Sequence, residues 1–339
     1  MSGWRADGAT TAAISRRRWA SADLFLARLI LRRIGVSLLL LLAVSLIVFA
    51  GTEMLPGDVA QMILGQSATQ ATVDALRATM HLNEPAWQRY IHWLIGLLSG
   101  NPGNSLVNGM AIADLIGGRL TNSLLLALLT TIVVVPLALT VGITAAVWRG
   151  TAYDRVVNVL TVAAVSIPEF LFATAAVLIF AVRLHWLPAL SYAANTDSLH
   201  AMFRSFALPV GTLAVAIFPQ MARMTRAALI NTLGSSYVEM AVLKGVRPVR
   251  LVLRHALPNA LGPIANAVAL SLSFLLGGIV IVETVFNYPG LAKLMVDAVS
   301  TRDVPLVQSC AMIFCAGYLL LVLIADIATI LSNPRLRYR

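Results

Sequence analysis

Two carboxylates of this 339-residue sequence lie inside long apolar runs. Glu169 directly follows Pro168 near the middle of one run, and Asp326 lies in the last third of another. Charge is costly within a bilayer, so such residues often carry protons or contact a transported solute. The alternative is that Glu169 is protonated or hydrogen-bonded near the backbone that Pro168 opens, and that Asp326 faces the membrane interface. The sequence leaves both interpretations open.

No other grouping of side chains predicts catalysis or metal binding. The five histidines are scattered over different loops, and Cys310 and Cys315 fall on different sides of one helix. The motifs HExxH, GxSxG and paired CxxC are absent. The sequence also contains no GxxxxGK[ST], because its only lysines, Lys244 and Lys293, do not follow glycine. We therefore expect no catalytic residue, metal or cofactor, and no nucleotide-binding loop.

The composition indicates an integral membrane protein. Hydrophobic residues make up 59% of the chain, charged residues only 12%, and the mean hydropathy is +0.83. The net charge of +10 comes without a basic patch interleaved with aromatic residues. Nucleic acid is therefore not an expected partner, whereas membrane lipid is.

Six apolar runs are long enough to cross a bilayer as helices, which predicts an all-α fold with both termini on one side. The weakest candidate is the fourth, because Pro209 and Pro219 interrupt it. The runs are residues 34–52, 123–148, 160–182, 207–224, 261–282 and 305–331.

The basic residues predict which side faces the cytoplasm. Most of the 25 Lys and Arg residues flank the spans on the side that holds the N-terminus, residues 149–155, residues 223–254 and the C-terminal tail. The positive-inside rule makes this side cytoplasmic. Because its basic region is long, the first span is expected to be an uncleaved anchor; a signal peptide cleaved after Ala50 is the alternative.

The longest external segment covers residues 53–122. LPGD at residues 55–58 predicts a turn, and Ser67 or Thr69 is suited to cap a short helix that ends near Met80. A further helix begins near Pro85 and ends between Gly96 and Gly100. It carries three aromatic residues and is too short to span the membrane, so we expect either an interfacial or packing helix or a lid over a translocation path.

A polar, Arg-rich segment at residues 237–261 interrupts the apolar chain. Ser235 or Ser236 predicts the start of a helix through Lys244, and Gly245 is suited to the left-handed residue that ends it. Pro248 then fits the first turn of a second helix. Ala241 offers little side chain, so a soluble partner is expected to approach closely at this corner.

This segment resembles the EAA loop of permease subunits of ATP-binding-cassette (ABC) importers, EAA-x3-G-x9-I-x-LP. Glu239, Ala241, Gly245, Leu257 and Pro258 reproduce the spacing. The chain departs from the pattern at two positions, Met240 and His255. The segments SIPEF, VETVFNYPGLAKLMVDAV and TRDVPLVQ are similar to the dipeptide, oligopeptide and nickel branch of that family.

The resemblance implies a six-helix permease with three parts. Residues 1–23 would be a disordered Arg-rich cytoplasmic extension, residues 24–122 the first span and the long external segment, and residues 123–339 the core. A coupling helix at about residues 235–246 would dock in a groove of the ATPase, with Glu239 and Arg250 as polar contacts and Gly245 as the corner.

The resemblance also implies the partners: a second homologous permease forming a heterodimer, two cytoplasmic ATPase subunits and an external solute-binding protein. We expect short peptides as the substrate, with nickel chelates, opines, glutathione or another small solute as alternatives. From another class, a stand-alone secondary transporter or channel would need an inverted repeat or a coherent set of intramembrane charges, and the sequence displays neither.

Overall fold

The protein is described from a computed structural model, in which residues 8–54, 69–79, 84–191 and 198–332 are placed. In these ranges the chain is helical except for short connections and one isolated bridge between Asn104 and Ala111. The helices are α1 Gly8–Glu53, α2 Gln70–Thr79, α3 Ala86–Leu98, α4 Ile112–Val147, α5 Ala152–Val165, α6 Glu169–Ala176, α7 Leu199–Leu233, α8 Ser236–Leu243, α9 Pro248–Leu251, α10 Leu257–Val285, α11 Leu291–Thr301 and α12 Val304–Ser332. The predicted all-α membrane architecture is confirmed.

Five stretches of the described helices are long and apolar enough to cross a membrane: Arg28–Glu53, Ile112–Val147, His200–Leu233, Pro248–Val285 and Val304–Ile327. A sixth span is obtained if α5 and α6 are taken together, although they are bent by 96° at the residues between them. A π-helical segment, Val177–Arg183, continues α6. The expected third span is therefore broken rather than straight.

The break between α5 and α6 has a local cause. Pro168 lies at the N-cap of α6, and a proline disfavours helical geometry in the residue that precedes it. Ser166, at the C-cap of α5, is still helical in its backbone. The helix consequently ends at this point and begins again at Glu169, the residue that the sequence singled out.

Pro209 and Pro219, by contrast, do not interrupt α7, which differs from our expectation. A proline in a helix leaves the carbonyl four residues earlier without its usual donor. For Pro209 that carbonyl belongs to Ser205, and the buried Ser191 hydroxyl donates a hydrogen bond to it at 2.6 Å. A long-range contact thus satisfies the group that the proline frees.

The core lies where α4, α6, α7 and α10 meet. α4 and α7 pack closely because Gly142 has no side chain: a methyl group there would lie 2.6 Å from the Ala222 carbonyl oxygen. The buried residues of this core include Leu126, Val134, Ala173, Leu213, Met221, Ile279 and Val282. α1 lies at the periphery, where it packs mainly on α12.

Our expectation of a disordered extension at residues 1–23 stays a prediction, although α1 already begins at Gly8. The short helix expected before Met80 is confirmed as α2, with the Thr69 side chain accepting a hydrogen bond from the Thr72 N–H at 3.4 Å. The turn predicted at LPGD and the C-terminal tail after residue 332 lie outside the described residues.

The two ends of the bundle differ in their polar contacts. We call the end that carries the Asp154–Arg226 pair and α8 the basic end, and the end that carries Glu53, Glu283 and Asp303 the acidic end. At the acidic end the buried Asp303 carboxylate accepts hydrogen bonds from the Ser105 hydroxyl and, at 3.2 Å, from the Leu106 N–H. This contact fixes the loop before α4 against the junction of α11 and α12.

Candidate functional site

The candidate site is the corner between α8 and α9 at the basic end. Ser235 is the N-cap residue of α8, and the first turn carries Glu239, whose negative charge suits the positive end of the helix dipole. The Gly245 N–H donates to the Val242 carbonyl at 2.9 Å and the Val246 N–H to the Ala241 carbonyl at 3.2 Å. This is a Schellman motif, in which Gly245 adopts φ +74°.

The second helix also follows the expectation at its start. Pro248 is the first residue of α9, and a π-helical segment, Val252–Ala256, leads without interruption into α10. The whole of Pro248–Val285 therefore forms one continuous helical stretch. The corner is attached directly to a helix that is long enough to cross the membrane.

The site residues predicted from the EAA spacing, together with Arg250, all lie at this corner but not in equivalent environments. Glu239, Gly245, Arg250 and Pro258 are exposed, and Leu257 is partly buried at the start of α10. Ala241 is only 8% exposed and, with Val238, faces the chain itself. The close approach that its small side chain permits is thus with this chain, which differs from our expectation.

Sequence reasoning missed the apolar residues that this corner exposes. Met240 and Leu243 are one helical turn apart on α8, and Val249 and Leu253 are one turn apart on the following helical stretch. All four side chains are exposed although they are large and apolar. The i, i+3 and i, i+4 spacing was the available signal, and Met240, one of the departures from the EAA pattern, lies on this exposed side.

An ion pair with a buried carboxylate supports the corner from the bundle side. Arg226, near the end of α7, contacts both oxygens of the Asp154 carboxylate, with Nε–Oδ1 2.7 Å and Nη2–Oδ2 2.8 Å. The same carboxylate accepts hydrogen bonds from the Gly150 N–H at 2.9 Å and from the Asn158 amide at 3.0 Å. The ion pair therefore joins the start of α5 to the end of α7, the helix that precedes α8.

Glu169 lies away from this corner, at the start of α6. Its side chain is partly buried and reaches α10: a methyl group on Gly278 would lie 3.0 Å from Glu169 Oε2 and 3.1 Å from Leu213 Cδ2. In the described part of the chain no hydrogen bond or ion pair of this carboxylate is found. The structure thus places an unpaired carboxyl group next to a broken helix and a glycine.

The other intramembrane acid has a partner. Arg33 Nη1 lies 2.7 Å from Asp326 Oδ2, which joins α1 to α12 near the basic end. This pair explains how the last apolar run accommodates a carboxylate, and it leaves Glu169 as the stronger candidate for a role in transport.

Comparison with known families gives two matches. Residues 138–338 match the model described as binding-protein-dependent transport system inner membrane component. Residues 26–140 match the model for the N-terminal part of such a membrane component. Together the two models cover the chain from α1 to α12.

Curated relatives are similar over almost their whole length. A probable peptide ABC transporter permease protein of Sinorhizobium fredii is 34% identical over 310 residues, which are 91% of this chain and 99% of the relative. A glutathione transport system permease protein of Escherichia coli is 35% identical over 299 residues, 88% of this chain and 95% of the relative. A glutathione transport system permease protein of Shigella flexneri has the same identity and coverage.

Proposed function

Since the chain belongs to the family of binding-protein-dependent transport system inner membrane components, we propose that partner subunits drive it by docking at the α8–α9 corner. The chain is a permease subunit of an ABC importer and a multi-pass membrane protein. Its sequence contains no nucleotide-binding loop of the GxxxxGK[ST] type. The energy for transport would therefore come from ATP hydrolysed by two cytoplasmic ATPase subunits.

The observation that carries this proposal is the exposed apolar surface of α8 and α9 beside exposed charges. Met240, Leu243 and Val249 would fill an apolar groove of the ATPase, while Glu239 and Arg250 would make polar contacts at its rim. A helix with an exposed apolar face that enters a groove is a common mode of recognition.

The same geometry supports a mechanical route for the coupling. Gly245 fixes the angle between α8 and the next helix, and Leu257 and Pro258 begin α10 on the same continuous stretch. A displacement of α8 would be passed to α10, which lies in the core with α4 and α7. Ala241 and Val238 would hold α8 to the chain during that movement.

The complex would contain four partners of this chain: the two ATPase subunits, a second homologous permease that forms a heterodimer with it, and an external solute-binding protein. Membrane lipid would surround the remaining apolar surface, and nucleic acid is not a proposed partner. The family description supports the binding protein, because it names transport that depends on one.

The proposed orientation places the basic end and both termini in the cytoplasm of a bacterium, and the acidic end outside. It is supported by the excess of arginine around residues 149–155 and 223–254. Within this topology, residues 24–122 would form the first span and the external segment, and residues 123–339 the core permease, with residues 1–23 as a cytoplasmic extension.

The proposed substrates are short peptides. This assignment is supported by the Sinorhizobium fredii relative, whose name specifies peptides, while the Escherichia coli relative keeps glutathione as the second candidate. The experiment that tests it is to identify the ligand of the cognate external binding protein by mass spectrometry of the purified protein. A dipeptide or oligopeptide ligand supports the assignment; glutathione or a metal chelate would replace it.

Glu169 is proposed to line the translocation path. Support comes from its partial burial, the lack of a partner for its carboxylate among the described residues, and its position beside Gly278. If it relays protons or contacts a cationic group of the substrate, Glu169→Gln changes the dependence of uptake on pH. If the variant and the unmodified chain show the same dependence of uptake on pH, from mildly acidic to mildly basic conditions, this role is ruled out.

Docking at the corner is tested by co-purification from membranes in mild detergent. Leu243→Asp places a charge in the proposed apolar contact and is expected to reduce the recovered ATPase subunits severalfold. Val107→Asp introduces the same charge at an exposed site on the acidic end and serves as the control, with recovery like that of the unmodified chain. Equal recovery with both variants would contradict docking at this corner.

A further inference from the structure

We propose that α3, the helix Ala86–Leu98, lies in the lipid interface at the acidic end of the bundle and inserts one apolar stripe among the acyl chains. The stripe consists of Trp87, Ile91, Ile95 and Leu98, which are 62%, 42%, 59% and 78% exposed. This inference does not depend on the coupling proposal, since it needs only that α1 crosses the membrane.

The first argument is the distribution of side chains around α3. At about 100° per residue, the four stripe residues fall within an arc of about 80°. A polar arc follows, formed by Gln88, Arg89 and His92, and the remaining arc carries Tyr90 and Trp93. Three different surfaces thus divide the helix, which is the arrangement expected where a helix faces lipid, water and protein together.

The second argument is the contact that α3 makes with α1. The ring centroids of Tyr90 and Trp93 lie 5.4 Å and 6.1 Å from that of Phe49. The Tyr90 hydroxyl is 2.8 Å from the Ser45 hydroxyl. These contacts hold α3 to the side of the span near its end, so the protein-facing arc has its partner within this chain.

The third argument is depth. α1 ends at Glu53, which pairs with Arg89 of the polar arc, so this pair marks the level where water is available. Phe49 and Ser45 lie about 6 Å and 12 Å deeper along the helix, at about 1.5 Å per residue. A helix that contacts both levels lies at the boundary between headgroups and acyl chains, where amphipathic helices bury their apolar side by about 5–10 Å.

The fourth argument is the surface of α1 at the same depth. Near the level of Ser45 and Phe49, α1 exposes apolar residues such as Leu46 and Ile47, and it is a membrane-crossing helix. The helix α3 is too short to cross the bilayer itself, because 13 residues extend only about 20 Å. A lid would instead turn the stripe towards the core, whereas α3 packs mainly on the peripheral α1.

The test uses spin labels on the full chain in its assembled transporter, reconstituted in lipid nanodiscs. Cys310→Ala and Cys315→Ala remove the native thiols, and Trp87→Cys, Ile95→Cys and His92→Cys each accept one label. Collisions with oxygen report lipid, and collisions with a water-soluble nickel chelate report water. We expect oxygen to dominate at residues 87 and 95 and the nickel chelate to dominate at residue 92.

Two other outcomes would overturn the inference. Labels at 87 and 95 that are immobile and shielded from both reagents would show that protein, such as the second permease or the binding protein, covers the stripe. Labels that collide mainly with the nickel chelate would show that the stripe faces water.

A second measurement uses a milder variant, Trp87→Phe, in case the cysteine variants misfold. Lipids with brominated acyl chains quench tryptophan fluorescence, and they should quench a larger fraction of it in the unmodified chain than in Trp87→Phe. Equal fractions would contradict the proposal.

Discussion

Gly245 determines the geometry of the corner that follows α8. It adopts φ +74°, and beyond its chain neighbours no atom of the described residues lies within 4 Å of the position that a Cβ would take. The cost of substitution comes from the backbone alone, about 1–2 kcal/mol for a residue with a Cβ in this region and more for a β-branched one. A larger residue is therefore expected to change the angle of the corner rather than to disturb the packing of the bundle.

The first prediction concerns this residue. Gly245→Val should leave the chain assembled in the membrane but uncouple solute uptake from ATP hydrolysis by the partner subunits. The reason is that α8 would no longer transmit the movement of the ATPase subunits to the bundle. The measurement is the ratio of solute transported to ATP hydrolysed in proteoliposomes. Gly234→Ala is the matched control, since Gly234 ends α7 with φ −79°, which alanine adopts readily. A normal ratio for Gly245→Val would contradict the role of the corner.

Among the helices, α11 is held in place by a buried carboxylate of its neighbour. Glu283 of α10 is fully buried and accepts hydrogen bonds from the first N–H groups of α11, at Ala292 with 2.8 Å and Lys293 with 3.0 Å. The Ser123 hydroxyl donates to the same carboxylate and accepts from the Leu291 N–H at 2.8 Å. Three elements, α4, α10 and α11, are thereby joined at the acidic end.

A neighbouring tyrosine strengthens this junction. The Tyr288 hydroxyl donates to the Asn122 carbonyl at 2.9 Å, and the Asn122 amide donates to the Pro289 carbonyl at 2.8 Å. Burial raises the pKa of Tyr288 far above its usual value, and the nearby Glu283 acts in the same direction. The hydroxyl therefore keeps its proton, and with it this hydrogen bond, throughout the neutral and mildly alkaline range.

The second prediction tests the cap of α11 through a pair of variants. Glu283→Ala leaves the N–H groups of Ala292 and Lys293 without an acceptor and should cost about 2 kcal/mol. A methyl group on Gly290 would overlap the Glu283 carboxylate, so Gly290→Ala should also destabilise, by about 1–3 kcal/mol.

The two effects should not add, because the first substitution removes the group that the second one meets. The free energy of unfolding is measured by denaturation of the purified chain in detergent, for the two single variants and for the double variant that combines them. Thr284→Ala, at an exposed position next to Glu283, is the control and should change stability little. Additive losses in the double variant would show that Gly290 and Glu283 are not in contact.

The third prediction concerns the link between α5 and α7. Arg226→Ala leaves the buried Asp154 carboxylate without its cation and should destabilise the chain by about 3 kcal/mol. Arg223→Ala is a suitable control, because Arg223 lies on the same helix and is exposed, and among the residues that the structure describes its side chain bonds to Gln220 alone. Equal denaturation midpoints for the two variants would contradict a structural role of the ion pair.

For the molecule as a whole, the sequence predicted most of what depends on local pattern. Apolar runs located the membrane helices, and the order of Ser235, Gly245 and Pro248 predicted α8, its left-handed end and the start of α9. These features follow from hydropathy, helix capping and the conformational freedom of glycine, all of which act within a few residues.

The features that the sequence did not predict depend on residues far apart in the chain. The continuity of α7 relies on Ser191 bonding to Ser205, and Asp326 is accommodated by Arg33. The inward face of Ala241 follows from the packing of α8 against the bundle, which no local spacing specifies. Such contacts depend on how the helices pack together, which local sequence patterns do not specify.

The most direct test of the account is ATP-dependent uptake into proteoliposomes that contain this chain with and without its partner subunits. We predict that solute accumulates only when the ATPase subunits, the second permease and the external binding protein are all present with ATP. Accumulation by this chain alone, driven by an ion gradient or without any added energy source, would contradict the account.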